Sequence, residues 1–219
     1  RRQRQMCIRD STLDNPGKQG INIQKVDFPC PVFTTTIPDY HRINQELKEY
    51  IERHRHKYNG TKMSNLKVSW RSNFVMHEEC PEPIIKELID YVLEVTVKLS
   101  DYYQKGLDVP MYVDNFWIAE FTEGNYARKH GHYPSDWAAV YYIEVEENAS
   151  PLRFADKLDV VPEEGMLVMF PGILEHRVKP TTGRRVCAAM NLYKQWKNIP
   201  NNINNLSLIH ISEPTRLAS

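Results

Sequence analysis

The sequence has 219 residues, of which 41% are hydrophobic and 26% are charged, a composition that excludes a disordered or fibrous chain. The 28 basic residues balance the 28 acidic residues, so the overall charge predicts neither a nucleic-acid partner nor an anionic membrane partner. No apolar run reaches the length of about 18 residues that a membrane-spanning helix needs. We therefore expect a soluble enzyme or binding domain.

Both ends of the sequence resemble translated transposase adapters, and we set them apart from the fold. Residues 1–11 read RRQRQMCIRDS and residues 206–219 read LSLIHISEPTRLAS. Codons for MCIRDS and LSLIHI can be chosen that are reverse complements, as the two ends of an inserted adapter would be. The first segment carries a net charge of +3 and the second carries none, so residues 12–205 are mildly acidic.

The first half of the remaining chain carries two amphipathic helical patterns. Ile43, Leu47 and Ile51 recur at helical spacing with charged residues between them. A longer pattern of the same kind runs from about residue 82 to residue 103. A short extended segment at 31–36 precedes both helices.

Beyond residue 109 the apolar period changes to two, and β-branched and aromatic residues become frequent. The predicted strands lie near 112–121, 137–145, 151–155, 158–161, 166–170, 175–179 and 185–193. Helices followed by many short strands favour an α+β chain whose β part is a sandwich or barrel, with the helices packed outside it. We interpret residues 12–205 as one domain, with a helical part at 37–106 and a β core at 110–195.

Three cysteines remain once the end segments are set apart, namely Cys30, Cys80 and Cys187. Their odd number and their spacing indicate neither a disulfide framework nor a cysteine-based zinc site. This pattern is typical of a reducing compartment, so we expect a cytoplasmic protein. That expectation assumes that no targeting peptide precedes the sequence.

Three histidines in the β half form a candidate metal site. His130 and His132 are separated by one residue, a spacing that on a strand directs both side chains to the same face. His176 follows His130 by 46 positions, on a separate predicted strand. Three imidazoles from two strands can bind one face of a metal and leave the other face open. The alternative is a pair of partly exposed histidines at a strand end.

Several motifs follow one another in residues 112–191. Gly124 stands six residues before His130, and the motifs VYYI, SPLRF, GMLVMFP, HRV and TTGRR come later in that order. This series resembles the Fe(II)- and 2-oxoglutarate-dependent oxygenases, most closely a bacterial and phage subgroup with an H-x-H motif. The resemblance covers most of residues 31–195. It implies an α+β chain with a double-stranded β-helix, also called a jelly-roll or cupin-like barrel, and N-terminal helices packed outside.

By this resemblance, the metal ligands are His130, His132 and His176. Most members of the family have Asp or Glu two residues after the first histidine, where this chain has His132. The nearest acid is Asp136, which is the alternative third ligand. An imidazole in place of the carboxylate leaves the metal centre one unit more positive.

The resemblance also implies a binding site for the cosubstrate. Arg185 would pair its guanidinium with the distal carboxylate of 2-oxoglutarate, and Arg184 is the competing candidate. Tyr142, the second tyrosine of VYYI, matches the position that often hydrogen-bonds the same carboxylate. The alternative interpretation of Tyr142 is a residue of the β core.

The implied function is that of a hydroxylase with Fe(II), 2-oxoglutarate and O2 as cofactors, which releases succinate and carbon dioxide. We expect a small molecule, an amino acid or a peptide as substrate, with no nucleic-acid or membrane partner. One alternative is a catalytically inactive jelly-roll binding module. Another is a cupin-like three-histidine dioxygenase that does not use 2-oxoglutarate.

Overall fold

The computed structural model describes residues 30–58, 65–103 and 110–195. The chain divides into two compact units, Arg1–Pro31 and Val32–Ser219, and almost all of the described residues belong to the second. The adapter-like segments at 1–11 and 206–219 lie outside the described residues, so their exclusion from the fold stays a prediction. The single domain at 12–205 stays a prediction as well.

The described elements begin with short strands and helices: β1 (Phe33–Thr36), α1 (Tyr40–His54), a 3-10 turn (Arg55–Lys57), β2 (Leu66–Lys67), β3 (Trp70–Arg71), α2 (Met76–Glu79) and α3 (Pro83–Tyr103). Eight strands follow: β4 (Met111–Phe121), β5 (Tyr126–His130), β6 (Trp137–Val145), β7 (Leu152–Phe154), β8 (Leu158–Val160), β9 (Met166–Pro171), β10 (His176–Val178) and β11 (Arg185–Lys194). Both long helices and all seven predicted strands are confirmed at their predicted positions. Strand β5 was not among the predicted strands.

The strands form two antiparallel sheets. The six-stranded sheet has the order β1-β9-β6-β11-β4-β3, and the five-stranded sheet has the order β2-β5-β10-β7-β8. Strand β11 lies inside the larger sheet and pairs with both β4 and β6. No named strand of one sheet pairs with a strand of the other within the described ranges, so the structure shows two sheets rather than the closed barrel that the resemblance implied.

The six-stranded sheet buries both of its faces, and the period of two decides which residue lies on which face. Its helix face includes Phe116, Ile118, Tyr141, Val186, Ala188 and Met190, which pack in one cluster with α1 and α3. Its inner face includes Trp117, Ala119, Phe121, Tyr142, Cys187 and Ala189, which pack against Ala127, Leu152, Phe154 and Val178 of the smaller sheet. The helices therefore lie outside the sheets, as expected from the sequence.

The helices are attached to the sheet by their apolar stripes. Leu47 of α1 and Leu88 of α3 are 0% exposed, and burial of each leucine side chain stabilises the fold by about 1.5–3 kcal/mol. In the part of the chain that the structure describes, no helix has both the length and the apolar character needed to cross a membrane.

The start of α1 also rests on the turn before β9. Gly165 in this turn has a φ of 79°, and a Cβ placed on it would overlap the side chain of Tyr40. The carbonyl oxygen of Gly165 accepts a hydrogen bond of 3.0 Å from the backbone N–H of Ile37. Glycine meets both requirements at this position, because it adopts positive φ without strain and allows the close approach.

Candidate active site

The three candidate histidines come together between the ends of β5 and β10. His130 ends β5 and lies opposite His176, which begins β10. His132 lies two residues beyond β5, where its backbone N–H donates to Gly172 O at 2.7 Å. The ligand nitrogens of the three residues all lie within 4.8 Å of one another. The prediction that His130 and His132 share a strand is wrong for His132, because β5 ends at His130 and His132 lies in the segment that follows.

Two of the rings are oriented by backbone carbonyls. Nδ1 of His130 lies 2.7 Å from Arg128 O, and Nδ1 of His176 lies 3.2 Å from Leu174 O. A carbonyl accepts only from a protonated nitrogen, so in the neutral rings Nε2 carries the free lone pair. Nε2 of His176 lies 3.3 Å from Nε2 of His132.

The surroundings keep two of the three histidines in their metal-binding form. Burial, followed by the neighbouring His130, lowers the pKa of His132 to about 4. Burial also lowers the pKa of His176 well below its ordinary value, with smaller contributions from His130, His132 and Arg185. Because a neutral imidazole is the form that binds metals, His132 and His176 are ready to do so at neutral pH.

The carboxylate of Asp136 is engaged elsewhere. Its Oδ2 accepts a hydrogen bond of 2.9 Å from the backbone N–H of Lys194, and its Oδ1 lies 3.6 Å from Lys194 Nζ. Among the described residues, the group of potential metal ligands contains the three histidines and not Asp136. The structure therefore does not bring the alternative third ligand to the cluster.

Arg185 begins β11 on the inner face of the larger sheet and is 2% exposed. Its Nη1 donates to Ser150 O at 3.0 Å, while its buried Nε has no hydrogen-bond partner among the described residues. The guanidinium carbon lies 4.7 Å from the ring centre of Phe121 and 5.4 Å from that of Tyr142. No carboxylate of the described ranges forms an ion pair with Arg185.

Tyr142 lies beside Arg185 and is fully buried. Burial raises the pKa of Tyr142 to about 12, although the neighbouring Arg185 charge opposes this shift. Its Oη is therefore protonated at neutral pH, and it has no hydrogen-bond partner of good geometry in the described part of the chain. A buried guanidinium nitrogen and a buried phenol thus share an apolar region, an arrangement that suits an incoming carboxylate.

Arg184 lies on the opposite side of the sheet. Its Nε donates to Glu120 Oε1 at 2.8 Å, and its Nη1 donates to Glu144. Glu120 also accepts from Arg55, which follows α1. Arg184 is thus neutralised by acidic side chains of its own chain, whereas Arg185 is not.

Two further residues of the inner face, Trp117 on β4 and Asn191 on β11, were not predicted from the sequence. The Trp117 ring stacks on His132, with ring centres 5.9 Å apart and planes inclined by 30°. Asn191 lies on β11 and donates from Nδ2 to Asn115 Oδ1 at 2.9 Å. The period of two along β4 could have placed Trp117 on the inner face, but nothing in the surrounding VCAAMNLY marks Asn191.

The chain is similar to known proteins in its three-dimensional structure. No protein-family model and no curated protein matches the sequence. A prolyl-4-hydroxylase from Pseudomonas putida is similar, with a TM-score of 0.56, 16% identity, and coverage of 77% of this chain and 94% of that protein. The chain has the fold of the 2-oxoglutarate-dependent oxygenases. This likeness confirms, for the fold, the resemblance that the sequence motifs indicated.

Two other structures with the oxygenase fold are similar over comparable lengths. The viral collagen prolyl hydroxylase from Paramecium bursaria Chlorella virus-1, in complex with 2-oxoglutarate, has a TM-score of 0.51 and 15% identity, and the match covers 73% of this chain and 94% of that protein. HygX from Streptomyces hygroscopicus, with nickel, 2-oxoglutarate and hygromycin B bound, has a TM-score of 0.57 and 11% identity, with coverages of 76% and 84%.

Proposed function

We propose that this chain is an Fe(II)- and 2-oxoglutarate-dependent oxygenase of the hydroxylase type, built on a double-stranded β-helix. The observation that carries the proposal is the cluster of three histidines on the same inner side as a buried arginine that has no acidic partner among the described residues. A metal site alone would also fit other dioxygenases. The combination with Arg185 favours a carboxylate-bearing cosubstrate.

His130, His132 and His176 would hold the metal. Their nitrogens come from the facing ends of β5 and β10 and from the segment that follows β5, so we infer that they would approach a metal from one side. Three ligands on one side leave the remaining positions open, as in the facial sites of non-haem iron oxygenases. With three neutral ligands the protein adds no negative charge to the metal, which favours an anionic cosubstrate there.

Arg185 and Tyr142 would hold the distal carboxylate of 2-oxoglutarate. The Nε of Arg185 and the Oη of Tyr142 are donors that lack an acceptor within the described residues. Phe121 covers the guanidinium of Arg185 and keeps water from it. When bound, iron and 2-oxoglutarate would let O2 act as the oxidant: one oxygen atom would enter the substrate as a hydroxyl group, and the other would enter succinate as 2-oxoglutarate loses carbon dioxide.

A small molecule, an amino acid or a peptide is the substrate class that we propose. The similar structures include two prolyl hydroxylases and a protein with the antibiotic hygromycin B bound, which supports substrates of this size range. Phe74, whose ring contacts Trp117 edge to face at 5.1 Å, is 38% exposed and would lie on the approach to His132.

Anaerobic titration tests the proposal most directly. Fe(II) is added to the metal-free protein, then 2-oxoglutarate, and the visible charge-transfer band of the chelate is recorded. We expect the band in the wild type and in the Arg184→Met control, a much higher 2-oxoglutarate requirement in Arg185→Met, and no band in His176→Ala. Iron binding without a band would favour the cupin-like dioxygenase, and absence of iron binding would favour the inactive binding module.

A further inference from the structure

The three histidines differ in what holds the nitrogen that faces away from the cluster. His130 and His176 each have Nδ1 beside a backbone carbonyl oxygen two residues earlier in the chain. No backbone carbonyl of the described ranges is hydrogen-bonded to the ring of His132. Metal-binding histidines almost always donate the second ring N–H to an oriented acceptor, so a different group must serve His132.

Asn191 lies where such an acceptor is needed. On β11 it alternates with Cys187 and Ala189, which face inward, and it pairs with Asn115 of β4 across the ladder. Because Asn191 Nδ2 donates to Asn115 Oδ1 at 2.9 Å, the amide is held with its oxygen turned away from Asn115. This Oδ1 is buried, and no donor of the described residues lies at the distance and angle of a hydrogen bond to it.

The packing of His132 brings its ring to the same part of the inner face. The ring stacks on Trp117 of β4, which pairs with Ala189 of β11, and the next pair along this face is Asn115 with Asn191. Because the amide Nδ2 of Asn191 is used by Asn115, the atom that Asn191 can offer to His132 is the acceptor Oδ1. Nε2 of His132 already faces His176, which leaves Nδ1 as the nitrogen that donates.

We propose that Asn191, held by Asn115, is a positioning residue that accepts the Nδ1–H of His132 and thereby keeps Nε2 directed at the metal. This inference rests on the proposed function, because it concerns a ligand of the proposed metal. It also accounts for the departure from the usual acidic residue at this position. A carboxylate presents two equivalent oxygens, whereas an imidazole binds a metal correctly in only one tautomer and needs a partner that selects it.

A neutral amide suits this centre better than an acid would. A carboxylate beside His132 would restore the negative charge that the exchange of an acid for an imidazole had removed. The amide fixes the tautomer of the ring and leaves the centre one unit more positive. The Asn115–Asn191 pair therefore defines the ring orientation without changing the charge of the site.

The experiment compares three variants of the full chain with the wild type. Asn191→Leu removes the acceptor at similar volume, Asn191→Asp keeps an acceptor, and Tyr193→Phe is the control on the same strand. Tyr193 stacks on Tyr112 with ring centres 6.0 Å apart and has no part in the proposed site. Melting temperatures of the metal-free proteins show that each variant is folded, and the aspartate variant keeps the test open if the leucine variant is not.

The first readout needs no metal. Long-range nitrogen–proton NMR of the histidine rings at neutral pH should show His132 as the Nδ1–H tautomer in the wild type, in Asn191→Asp and in Tyr193→Phe. In Asn191→Leu we expect a mixture of tautomers. A single unchanged Nδ1–H tautomer in Asn191→Leu would overturn the inference.

The second readout is the affinity for Co(II), followed by its visible absorption. Asn191→Leu should weaken binding about 10- to 100-fold, the usual effect of losing a partner of a metal-bound histidine, and Tyr193→Phe should match the wild type. Equal affinity of Asn191→Leu and wild type would contradict the inference. If the tautomer changes in Asn191→Leu but the wild type binds no metal, the positioning role stands and the proposed function fails.

Discussion

Two consecutive arginines in this chain lie in opposite environments. Arg184 donates to Glu120 and Glu144 on the helix face of the six-stranded sheet, and both partners are acidic. Arg185 lies on the inner face, is 2% exposed, and in the described residues donates only to the backbone oxygen of Ser150. A buried charge without a counter-ion costs several kcal/mol, and the carboxylate that we propose as its ligand would offset this cost.

The two faces of the sheet also differ in where their charged side chains find partners. On the helix face, apolar packing with α1 and α3 is bordered by complete ion pairs. On the inner face, the described residues provide no ion-pair partner for Arg185 and no hydrogen-bond partner for the buried Tyr142 Oη. Substitutions on the helix face should therefore change the free energy of unfolding, whereas those on the inner face should change ligand binding.

The largest expected effect separates two histidines, one in the cluster and one on α1. His176→Ala should abolish Co(II) binding, because it removes one of three ligands, while the metal-free protein keeps its melting temperature within a few degrees. His54 on α1 provides the control, since its Nε2 lies 2.6 Å from Glu82 Oε1 and has no contact with the cluster. His54→Ala should bind Co(II) normally. Normal Co(II) binding by His176→Ala would remove the basis of the metal assignment.

The two arginines give the next test. Arg185→Met should raise the apparent KM for 2-oxoglutarate roughly 100-fold, as expected from losing about 3 kcal/mol of charge-assisted hydrogen bonding. Arg185→Lys should raise this KM by a smaller factor, because lysine keeps the positive charge but replaces the planar guanidinium with a single ammonium group. Arg184→Met should leave this KM unchanged and lower the stability. Decarboxylation kinetics measure the first effect, and wild-type behaviour of Arg185→Met would contradict the cosubstrate assignment.

Two glycines with positive φ test the packing of the helix face. Gly165→Ala should cost about 3 kcal/mol of unfolding free energy, since it adds overlap with Tyr40 to the strain of a left-handed backbone. Gly124 also has positive φ, at 75°, but a Cβ there meets no atom within 4 Å. Gly124→Ala should therefore cost only the strain of about 1 kcal/mol. Urea denaturation measures both, and equal losses would show that Tyr40 moves aside freely.

The smallest effect concerns acid stability. Burial alone would raise the pKa of Glu120, but hydrogen bonds from Arg184 and Arg55 outweigh it and lower the pKa below 4.5. Glu120 therefore stabilises the fold above its unfolded pKa, and this contribution disappears as the pH falls through the lowered folded value. Glu120→Gln should lower the free energy of unfolding by on the order of 1 kcal/mol at neutral pH, and the difference from the wild type should disappear in acid. A pH-independent difference between the two proteins would contradict the ion-pair interpretation.

Secondary structure that depends on local sequence patterns was predictable, whereas structure that depends on contacts between distant residues was not. Helical spacing in α1 and the period of two in β11 are local patterns, so their elements were predictable. Strand β5 reads YARKH and lacks such a pattern, because only Ala127 of its five residues is buried. Its pairing with β10 and β2 defines it as a strand.

In the candidate site, too, the residues recognised by motif spacing were predictable and the contacts between distant residues were not. The motif spacing identified all three histidines, but the position of His132 depends on a hydrogen bond to Gly172, about forty residues away in the chain. The contact between Asn115 and Asn191 arises from the register of β4 against β11. Neither contact leaves a local pattern, so both became visible only in the structure.

The position of β11 also affects the order in which the protein can assemble during synthesis. It is the last strand of the described chain, yet it lies between β4 and β6 and carries both Arg185 and Asn191. When the chain has been synthesised as far as β10, the two halves of this sheet, β1-β9-β6 and β4-β3, therefore still lack the strand that joins them. The edges of β4 and β6 stay open until β11 emerges, so the nascent chain is exposed to wrong pairing at these edges. Arg185, which we assign to the cosubstrate, and Asn191, which we assign to the orientation of His132, are both synthesised with this last strand.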